Sequence, residues 1–566
     1  MNLPVLNPVR KSRDYNIDFR GYNHGYYVPE NQFYDTKNLC ATAYPAMAPR
    51  ALRGTVRTMA RPQGLTARGK LAWVDYNTFY YDRISYGTTL TDGEKQLVGM
   101  GAYILIFPDG KRFHTLTHEW DSLGAVWTQD APVSISLCKI DGEAYVIQST
   151  GPEPPEDAQT GAIWLDTSGE THVLRILGND GWTSVPTTYV KLEAEGIGTD
   201  FRTNDALDFS GLNEADLNGS HVVIGRTADA LIITGLVDVS SVQESGIVIE
   251  RRVPQMDFVC EKDNRIWGCS SEKHEIYACA LGDPTNWYRY GTSAGDSYAV
   301  TVGSDGDFTG CAAYAGYVFF FKEECIHKLM GDKPSNFQLF ASPGRGVQKG
   351  SERSLCIVNE ALLYKARDAV VTFDGGSPMS VSDALGHVDY FEAAAGAQGN
   401  RYYISMRDMA GEWSLFVFDE EKGLWYREDA LHVKQFAGLN GQLYMQAEDG
   451  RLLAVRGTME PGAELETGLE WYAETGDLMV TTPDNKYISR IQVRAGVDRD
   501  SRLKLEAQYD SDGIWHTIYE HGYSRKASFT APIVPMRCDH FRLRISGKGK
   551  AVVYGISKEY EEGSEL

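Results

Sequence analysis

A β-hairpin pattern that recurs along the chain limits the folds open to this 566-residue protein. In LYKARDAVVTFDGG, Leu363 to Gly376, two short apolar runs flank a bend that carries Lys365, Arg367 and Asp368. A single two-stranded hairpin is at best marginally stable in water, so the pattern needs partners. Similar hairpins occur in the stretches 69–83, 264–283, 316–332, 400–419 and 440–457.

The spacing of these hairpins indicates a β-propeller. The apolar centres of the regular copies follow one another in steps of 52, 45, 40 and 40 residues, and they are Ile266, Val318, Leu363, Tyr403 and Leu443. A four-stranded blade needs roughly 40 to 50 residues, and a fixed period in this range is typical of propellers and solenoids. Alternation with period two, rich in Tyr, Phe, Val and Trp, favours strands over helix pairs. We therefore expect an all-β fold with a propeller of about six or seven blades.

Composition is compatible with such a fold and sets further limits. Hydrophobic residues make up 42% of the chain and aromatic residues 11%, with 57 glycines. No window approaches the ~20 apolar residues of a membrane helix, and the first residues, MNLPVLNPVRKSRDYN, have no apolar signal core. The nine cysteines are scattered without CxxC spacing, which favours synthesis in a reducing cytosol over a disulfide framework. We expect no membrane span.

The charge of the chain bears on its partners. It has 55 Lys and Arg against 77 Asp and Glu, a net charge of −22. Affinity for the phosphate backbone comes from Lys and Arg, so a chain this acidic is unsuited to non-specific nucleic-acid binding. The acidity either serves solubility alone or lines a passage through which another polyanion slides without sticking.

Two segments depart from the hairpin pattern. GPEPPEDAQTGAIWLDTS, Gly151 to Ser168, opens with prolines that cannot lie in a central strand, and it predicts a small β-barrel or sandwich inserted into the propeller. Strict alternation near the other end, where Phe541, Leu543 and Ile545 share one face, predicts a jelly-roll-like β-sandwich. The expected organisation is an N-terminal arm (1–60), the first part of the propeller (61–150), the inserted module (151–252), the rest of the propeller (253–457) and the C-terminal sandwich (465–566).

The sequence contains no recognisable catalytic motif. P-loops and HExxH are missing from it. His114, His118 and Glu119 have a spacing that suits metal ligands on a helix, but in this strand-rich context we expect solvated side chains. DSDGIW, Asp510 to Trp515, predicts an Asp-Gly hairpin turn. We expect no cofactor, no metal and no enzymatic activity. A glycan hydrolase with two carboxylates ~5 to 10 Å apart is a third possibility that inspection leaves open.

The order of parts resembles the β-propeller proteins of tailed-phage tails, known as packaged-DNA stabilisation, tail hub or nozzle proteins. The resemblance is carried by the hairpins and by NLCATAYPAMAPRALRGTVR (Asn38 to Arg57), the GDPTNWY turn, and the endings VPMRCDHFRLRISGKG and YGISKEYEEGSEL. GAIWLDTS is similar to small β modules of phage tail and baseplate proteins.

This resemblance implies a virion structural protein, made in the host bacterial cytoplasm and assembled in several copies around the tail axis. Its partners would be other copies of itself, adjoining tail proteins, and DNA that passes through the lumen without specific binding. It would act as a conduit ring or as an adaptor that also holds a fibre. The arm residues Tyr44, Pro45, Arg50 and Arg53 are then expected to contact a neighbouring subunit, with the arginines paired to its carboxylates.

A receptor- or carbohydrate-binding protein at the tail tip is the main alternative. A site for a host-surface glycan needs exposed aromatic rings beside Asp, Asn or Arg, and Trp164, Trp182 and Trp515 are the candidates for sugar stacking. Trp164 and Trp182 have a second interpretation as the core of the inserted module, because buried rings dominate the energetics of small cores.

Overall fold

The computed structural model describes residues 11–87, 90–480, 485–533 and 536–562. Residues 1–10 of the expected arm, and residues 481–484, 534–535 and 563–566 of the expected sandwich, therefore lie outside the described residues. The chain divides into two compact units. Unit 1 comprises Met1–Lys95, Gly306–Lys328 and Ala341–Leu566, and unit 2 comprises Gln96–Asp305 and Leu329–Phe340.

The described residues are almost entirely strands and turns. Five strands precede blade 1 in the sequence: β1 (Lys11–Asn16), β2 (Phe33–Lys37), β3 (Leu39–Cys40), β4 (Ala48–Pro49) and β5 (Gly54–Thr58). The helical segments of this part of the chain are short 3₁₀ turns at Ala41–Ala43, Ala215–Leu217, Pro334–Asn336, Glu352–Ser354, Asp383–Leu385 and Gly457–Met459.

The first two blades follow directly. Blade 1 consists of β6 (Pro62–Arg68), β7 (Lys70–Asp75), β8 (Thr78–Tyr81) and β9 (Ile84–Ser85). Blade 2 consists of β10 (Gln96–Met100), β11 (Tyr103–Phe107), β12 (Lys111–His114) and β13 (Trp120–Ser122). Each is a four-stranded antiparallel sheet in which sequence neighbours pair, as in a propeller blade.

The inserted module begins earlier than expected. Its strands are β14 (Ala125–Thr128), β15 (Val133–Cys138), β16 (Ser149–Gly151), β17 (Ile163–Asp166), β18 (Val173–Gly178), β19 (Gly181–Ser184), β20 (Tyr189–Glu193), β21 (Ala206–Ser210), β22 (Gly219–Thr227), β23 (Ala230–Thr234), β24 (Ser241–Gln243) and β25 (Val248–Arg251). The sequence interpretation put its start at Gly151, but β14 and β15 belong to its eight-stranded sheet, in the order β14-β25-β21-β22-β23-β20-β15-β24. The prolines mark only the edge of the small sheet β16 to β19, which packs Ile163, Leu165 and Leu174 onto the same core.

Five further blades follow the module. Their strands are β26 (Phe258–Lys262), β27 (Arg265–Ser270), β28 (Glu275–Ala278) and β29 (Tyr298–Thr301) in blade 3; β30 (Gly310–Tyr314), β31 (Tyr317–Lys322), β32 (Cys325–Met330) and β33 (Gln338–Pro343) in blade 4; β34 (Cys356–Val358), β35 (Ala361–Lys365), β36 (Val370–Phe373) and β37 (Met379–Ser380) in blade 5; β38 (Tyr390–Gln398), β39 (Arg401–Asp408), β40 (Trp413–Asp419) and β41 (Leu424–Asp429) in blade 6; and β42 (Val433–Leu439), β43 (Gln442–Ala447) and β44 (Arg451–Ala454) in blade 7. Strand β5 supplies the fourth strand of blade 7 by pairing with β44.

The all-β propeller prediction is confirmed, and the repeated hairpin is the second and third strand of a blade. Leu363 in β35 and Tyr403 in β39 lie at such positions, with 0% and 3% exposure. The tight turns carry residues that tolerate a positive φ angle. Asn440 and Gly441, with φ angles of 51° and 75°, fit the two central positions of a type I′ turn. Seven blades are present among the described residues, at the upper end of the expected number.

Blades within a unit pack through apolar faces. In unit 1 the first strands of blades 5, 6, 7 and 1 lie side by side, which makes them the inner strands, and β10 and β26 do the same in unit 2. Two Trp-Tyr pairs, Trp287-Tyr288 and Trp425-Tyr426, serve this packing. Trp425 donates its indole N–H to the carbonyl of Val381 at 2.7 Å and lies in the core shared by blades 5 and 6. Trp287 is buried in the core shared by blades 2 and 3.

The C-terminal domain is a two-sheet sandwich that also includes strands β1 and β2. Its remaining strands are β45 (Glu464–Leu465), which pairs with β5, and β46 (Glu470–Thr475), β47 (Lys486–Val497), β48 (Arg502–Tyr509), β49 (His516–His521), β50 (Ser524–Ala531), β51 (Arg537–Cys538), β52 (Phe541–Lys548) and β53 (Ala551–Glu562). One sheet has the order β1-β53-β47-β50, with β51 also paired to β47, and the other has the order β2-β46-β52-β48-β49. Phe541, Leu543 and Ile545 face the core between them. DSDGIW lies in the connection of the β48–β49 hairpin.

The expected free arm of residues 1–60 is therefore wrong for its described part. Strands β1 and β2 each pair with a strand of the sandwich, and β5 completes blade 7. The partners lie hundreds of residues away in sequence, so the local pattern of the arm gave no sign of them. The segment is an integral part of unit 1.

Candidate functional site

A buried cluster of charges, which we call the arginine joint, lies in unit 1 between blade 6 and the connection that leads into the sandwich. It consists of Arg50, Arg53, Glu428, Asp429 and Glu466. Arg53 donates to Oε2 of Glu428 at 2.5 Å and to Oδ2 of Asp429 at 2.6 Å. Arg50 makes a two-pronged contact with Glu466, at 2.8 and 3.1 Å. The joint thus links the segment before β5 to the end of β41 and to the connection between β45 and β46.

The electrostatics of the joint keep Asp429 and Glu466 ionised. Burial by itself raises the pKa of Asp429, but the charges of Arg53 and Arg50 overcome this and lower it below its ordinary value. Burial likewise opposes the shift at Glu466, where hydrogen bonding to Arg50 lowers the pKa. Removing either arginine would leave carboxylates uncompensated in a poorly hydrated place, which is strongly unfavourable.

This geometry corrects the expectation that Tyr44, Pro45, Arg50 and Arg53 face a neighbouring subunit. Arg53 is 2% and Arg50 8% exposed, and both are paired with carboxylates of their own chain. Tyr44 is half-buried against the sandwich core, and a hydrogen bond to Asp18 raises the pKa of its hydroxyl. Pro45 is exposed and accepts a backbone hydrogen bond from Phe19. The prediction of arginine-carboxylate pairing was sound, but the carboxylates are intramolecular.

The N-terminal segment does present aromatic side chains, at residues that the sequence interpretation passed over. Tyr26 is 94% and Tyr27 70% exposed. The loop that carries them is held in place, because His24 N–H donates to the carbonyl of Ala384 at 2.8 Å and the imidazole of His24 stacks on Tyr34. Two adjacent tyrosines after a glycine, in HGYY, were the available signal. Their exposure on a fixed loop makes them the candidate assembly surface of unit 1.

The tryptophans considered for sugar stacking lie in two different modules, and one of them is buried. Trp164 is 5% exposed, packs edge-on against the half-buried Trp182 at 5.5 Å between ring centres, and has Arg175 over its ring. These residues belong to the small sheet of unit 2. Trp515 belongs to the sandwich of unit 1, where the guanidinium of Arg544 lies 4.0 Å from the centre of its ring. The stacking expectation is wrong for Trp164, whose ring is buried, whereas Arg544 lies over one face of the Trp515 ring.

The histidine pair lies in a turn of blade 2. His114 ends β12, and its Nδ1 accepts a hydrogen bond from the backbone N–H of Thr117 at 3.0 Å. His118 has a left-handed backbone with φ of 62°, and its ring stacks on Phe113. Across the described residues, no group of three or more His, Cys, Asp or Glu side chains is arranged to hold a metal ion.

Carboxylates with shifted pKa values share one property. In the part of the chain that the structure describes, each such carboxylate has its pKa lowered, by hydrogen bonds or charges from arginine and, at Asp166, first by the Ser168 hydroxyl. They are Asp18, Glu94, Asp121, Asp166, Asp429, Asp449 and Glu466. A glycoside hydrolase needs a carboxylic acid whose pKa is raised so that it can protonate the leaving group.

An ion-pair bridge crosses between blades on the inner side of unit 1. Glu94, which follows blade 1, accepts from Arg353 at 2.7 Å and lies 3.3 Å from the ammonium group of Lys434 in the inner strand of blade 7. Arg353 lies just before the inner strand of blade 5. The two ion pairs therefore connect the segment before blade 5 to blade 7 and to the end of blade 1, across the inner strand of blade 6. Blade 5 is adjacent to neither of those blades in the blade order.

Lys365, from the hairpin that first suggested the repeat, is 3% exposed rather than placed in the solvated bend. Its ammonium group donates to the carbonyl of Ala366 at 2.5 Å and to that of Arg367 at 3.2 Å. Burial lowers the pKa of Lys365 to about 8, although Asp368 and Asp389 act in the opposite direction.

No helix in the described part of the chain has the length and apolar character needed to cross a membrane. No known protein family matches the sequence, and no curated protein does.

Comparison with solved structures returns proteins of diverse kinds at low similarity. Raptor of Chaetomium thermophilum is 9% identical with a TM-score of 0.31, and the match covers 72% of this chain and 29% of that one. A putative 6-phosphogluconolactonase of Bacteroides uniformis is 12% identical with a TM-score of 0.26, covering 71% of this chain and 100% of that one. An exo-β-1,3-galactanase of Phanerochaete chrysosporium is 9% identical with a TM-score of 0.22, covering 53% and 94%. This chain thus spans less than a third of the Raptor structure. At these scores none of the three likenesses carries an argument about what this chain does.

Proposed function

We propose that this protein is a non-catalytic structural component of a bacteriophage tail, built into the virion in several copies as part of the DNA conduit or of a tail-tip adaptor. The observation that carries the proposal is the arginine joint. It fixes the segment before β5 and the connection that leads into the sandwich to the end of β41 in blade 6, through buried ion pairs. Such a joint suits a part that keeps its shape while DNA passes.

The exposed tyrosine loop supports assembly from several copies. Tyr26 and Tyr27 offer large amphipathic rings, a residue type enriched in protein interfaces. Because hydrogen bonding and stacking already hold the loop, little conformational entropy is lost when a neighbour docks on it. We propose this loop as the copy-to-copy contact, in place of the arm residues suggested by the sequence.

The carboxylates support a role without turnover. Asp429 and Glu466 are held ionised by arginines, and so is Glu94, where burial is outweighed by Arg353 and Lys434. A carboxylate in such a pair is a poor general acid at neutral pH. The proposed partners are further copies, adjoining tail proteins, and DNA in a lumen where Asp and Glu outnumber Lys and Arg.

A side-chain-resolution reconstruction of the assembled particle tests this function. We expect several copies around the tail axis, with residues 24–27 at the contact between copies and an acidic surface toward the axis. A single peripheral copy with the propeller turned toward the host surface would contradict it. Robust hydrolysis of host-envelope glycans by the purified chain, abolished by one carboxylate substitution, would contradict the non-catalytic part.

A further inference from the structure

The outer face of one sandwich sheet carries a row of arginines that have no carboxylate partner among the described residues. In β47 the residues Ile491, Val493 and Ala495 point into the core at 0% exposure, so Arg490, Gln492 and Arg494 point outward. Pairing within the sheet places Gln492 opposite Ser557 of β53 and Thr530 of β50, and Arg494 opposite Gly555 and Ser528. Strand β1 adds Arg13 and Tyr15 to the same face.

These side chains surround a depression of about 390 Å³. Its walls include Arg13, Tyr15, Arg494 and Tyr554, and Gly555 lies at its floor. A Cβ at residue 555 would come within 3.0 Å of Cγ2 of Ile17 and 3.2 Å of the backbone oxygen of Asn16, so the floor has no room for a side chain. The volume lies at the lower end of the range of small-molecule sites and suits one or two sugar rings.

The arginines of the depression are bound only to neutral oxygens among the described residues. Arg13 donates to Oγ of Ser557 at 3.0 Å and to Oε1 of Gln492 at 2.7 Å. Arg494 donates to Oγ of Ser528 at 3.1 Å. Neither forms an ion pair, although the chain carries a net charge of −22 and Glu559 lies in register opposite Arg13. Each guanidinium therefore keeps N–H donors for an anion, and its planar fork matches a carboxylate.

Aromatic rings complete the site. Tyr15 is 75% exposed at the rim. Tyr554 lies beside it in the lining, and the ammonium group of Lys526 is 4.0 Å from the centre of its ring. Exposed tyrosines next to hydroxyl, amide and guanidinium groups offer an apolar face for a sugar ring together with partners for its hydroxyls.

We propose that this depression binds an acidic sugar residue of an oligosaccharide. The carboxylate pairs with Arg494 and Arg13, the ring lies against Tyr15 and Tyr554, and Ser528, Ser557 and Gln492 bind hydroxyls. A long polyanion such as DNA is disfavoured, because Glu559 and Glu561 follow the lining residues along β53. The site is independent of the proposed structural role, which rests on other residues.

Binding by the full-length chain tests the proposal by calorimetry or saturation-transfer NMR. The probes are trigalacturonic acid and sialyllactose, their neutral counterparts galactotriose and lactose, and inorganic phosphate and short single-stranded DNA. We expect an acidic probe to bind about tenfold more tightly than its neutral counterpart, and Arg494→Gln to weaken it by about tenfold. Arg494→Lys keeps the charge but not the fork and should fall between the two.

The matched control is Arg525→Gln, an exposed arginine of β50 outside the lining, which should leave binding unchanged. Thermal unfolding of each variant verifies that the sandwich is intact. The proposal is overturned if no acidic sugar binds, if Arg494→Gln binds as the unmodified chain does, or if neutral sugars, phosphate or DNA bind as tightly as the acidic sugars.

Discussion

Nη1 of Arg53 lies 2.6 Å from Oδ2 of Asp429, inside a joint where the arginine side chain is 2% exposed. Replacing Arg53 by Met should lower the free energy of unfolding of unit 1 by about 3 to 5 kcal/mol, because Glu428 and Asp429 then lose their buried counterion. Urea unfolding monitored by tryptophan fluorescence measures the change.

Lys70→Met is the matched control for this experiment. Lys70 pairs with Asp82 at 3.0 Å, but both side chains are more than half exposed, so the change should be ~0 to 1 kcal/mol. Equal losses in the two variants would show that burial of the joint contributes nothing.

The joint also predicts an acid limit. The folded-state pKa values of Asp429 and Glu466 are depressed against the opposing effect of burial, so their stabilisation is complete above the unfolded values of ~4 and is lost as the pH falls through the lower folded values. The stability gap between the unmodified chain and Arg53→Met should therefore shrink below about pH 4. Unfolding midpoints of both proteins from pH 7 to acid measure it, and a constant gap would count against the pairing.

Lys365 predicts an opposite dependence in the alkaline range. Its folded pKa of about 8 lies below its unfolded value, so above that pH the unfolded chain binds more protons than the folded chain. The free-energy cost of burying the ammonium charge therefore falls as the pH rises through 8. The unmodified chain should gain stability relative to Lys365→Met between pH 7 and 10. Unfolding midpoints of the two proteins across that range provide the measurement. A relative loss would mean that the ammonium group is well solvated.

The exposed tyrosine loop predicts an assembly defect without a folding defect. Tyr26→Ser combined with Tyr27→Ser should reduce incorporation into particles while leaving thermal unfolding unchanged, since both rings are largely in solvent. Tyr523→Ser, at another exposed tyrosine, is the control. Deleting residues 1–60 should instead abolish folding of unit 1, because β1, β2 and β5 are lost.

The boundaries of the inserted module predict different outcomes for two deletions. Excision of residues 125–251 with a short Gly/Ser join should leave the remainder folded, because Ala125 and Arg251 are paired and the ends are adjacent. Excision of residues 151–252 should cause aggregation, because β14 and β15 then lose their sheet partners. Circular dichroism and light scattering distinguish the outcomes. A soluble, cooperative melt after the second deletion would contradict the boundary.

Local alternation explains what could be predicted from the sequence. The hairpin around Leu363 and the alternation at Phe541 are encoded by neighbours in the chain, so the propeller and the sandwich were accessible. The second blade escaped notice, because its hairpin at residues 103–114 lies outside the regular steps. The pairing of Lys11 with Glu561 has no local signal at all.

Burial explains what could not be predicted in the candidate site. The sequence does not show whether an arginine such as Arg53 pairs with a neighbouring subunit or with a buried carboxylate of its own chain, because that depends on the fold. Trp164 has the same ambiguity. The depression at Gly555 required cross-strand register, since its walls come from β1, β47, β50 and β53.

The use of both chain ends in shared sheets has a consequence during synthesis. Strand β5 cannot pair until β44 has been synthesised, and β1 cannot pair until β53 has been synthesised. At ribosomal rates of ~5 to 20 residues per second, the wait for β53 is roughly half a minute to two minutes. The edge of β5 stays unpaired until β44 is made, that of β2 until β46 and that of β1 until β53, and in the meantime each is available to other nascent chains. The charged side chains of β1 at Lys11, Arg13 and Asp14 are the kind that discourage edge-to-edge aggregation.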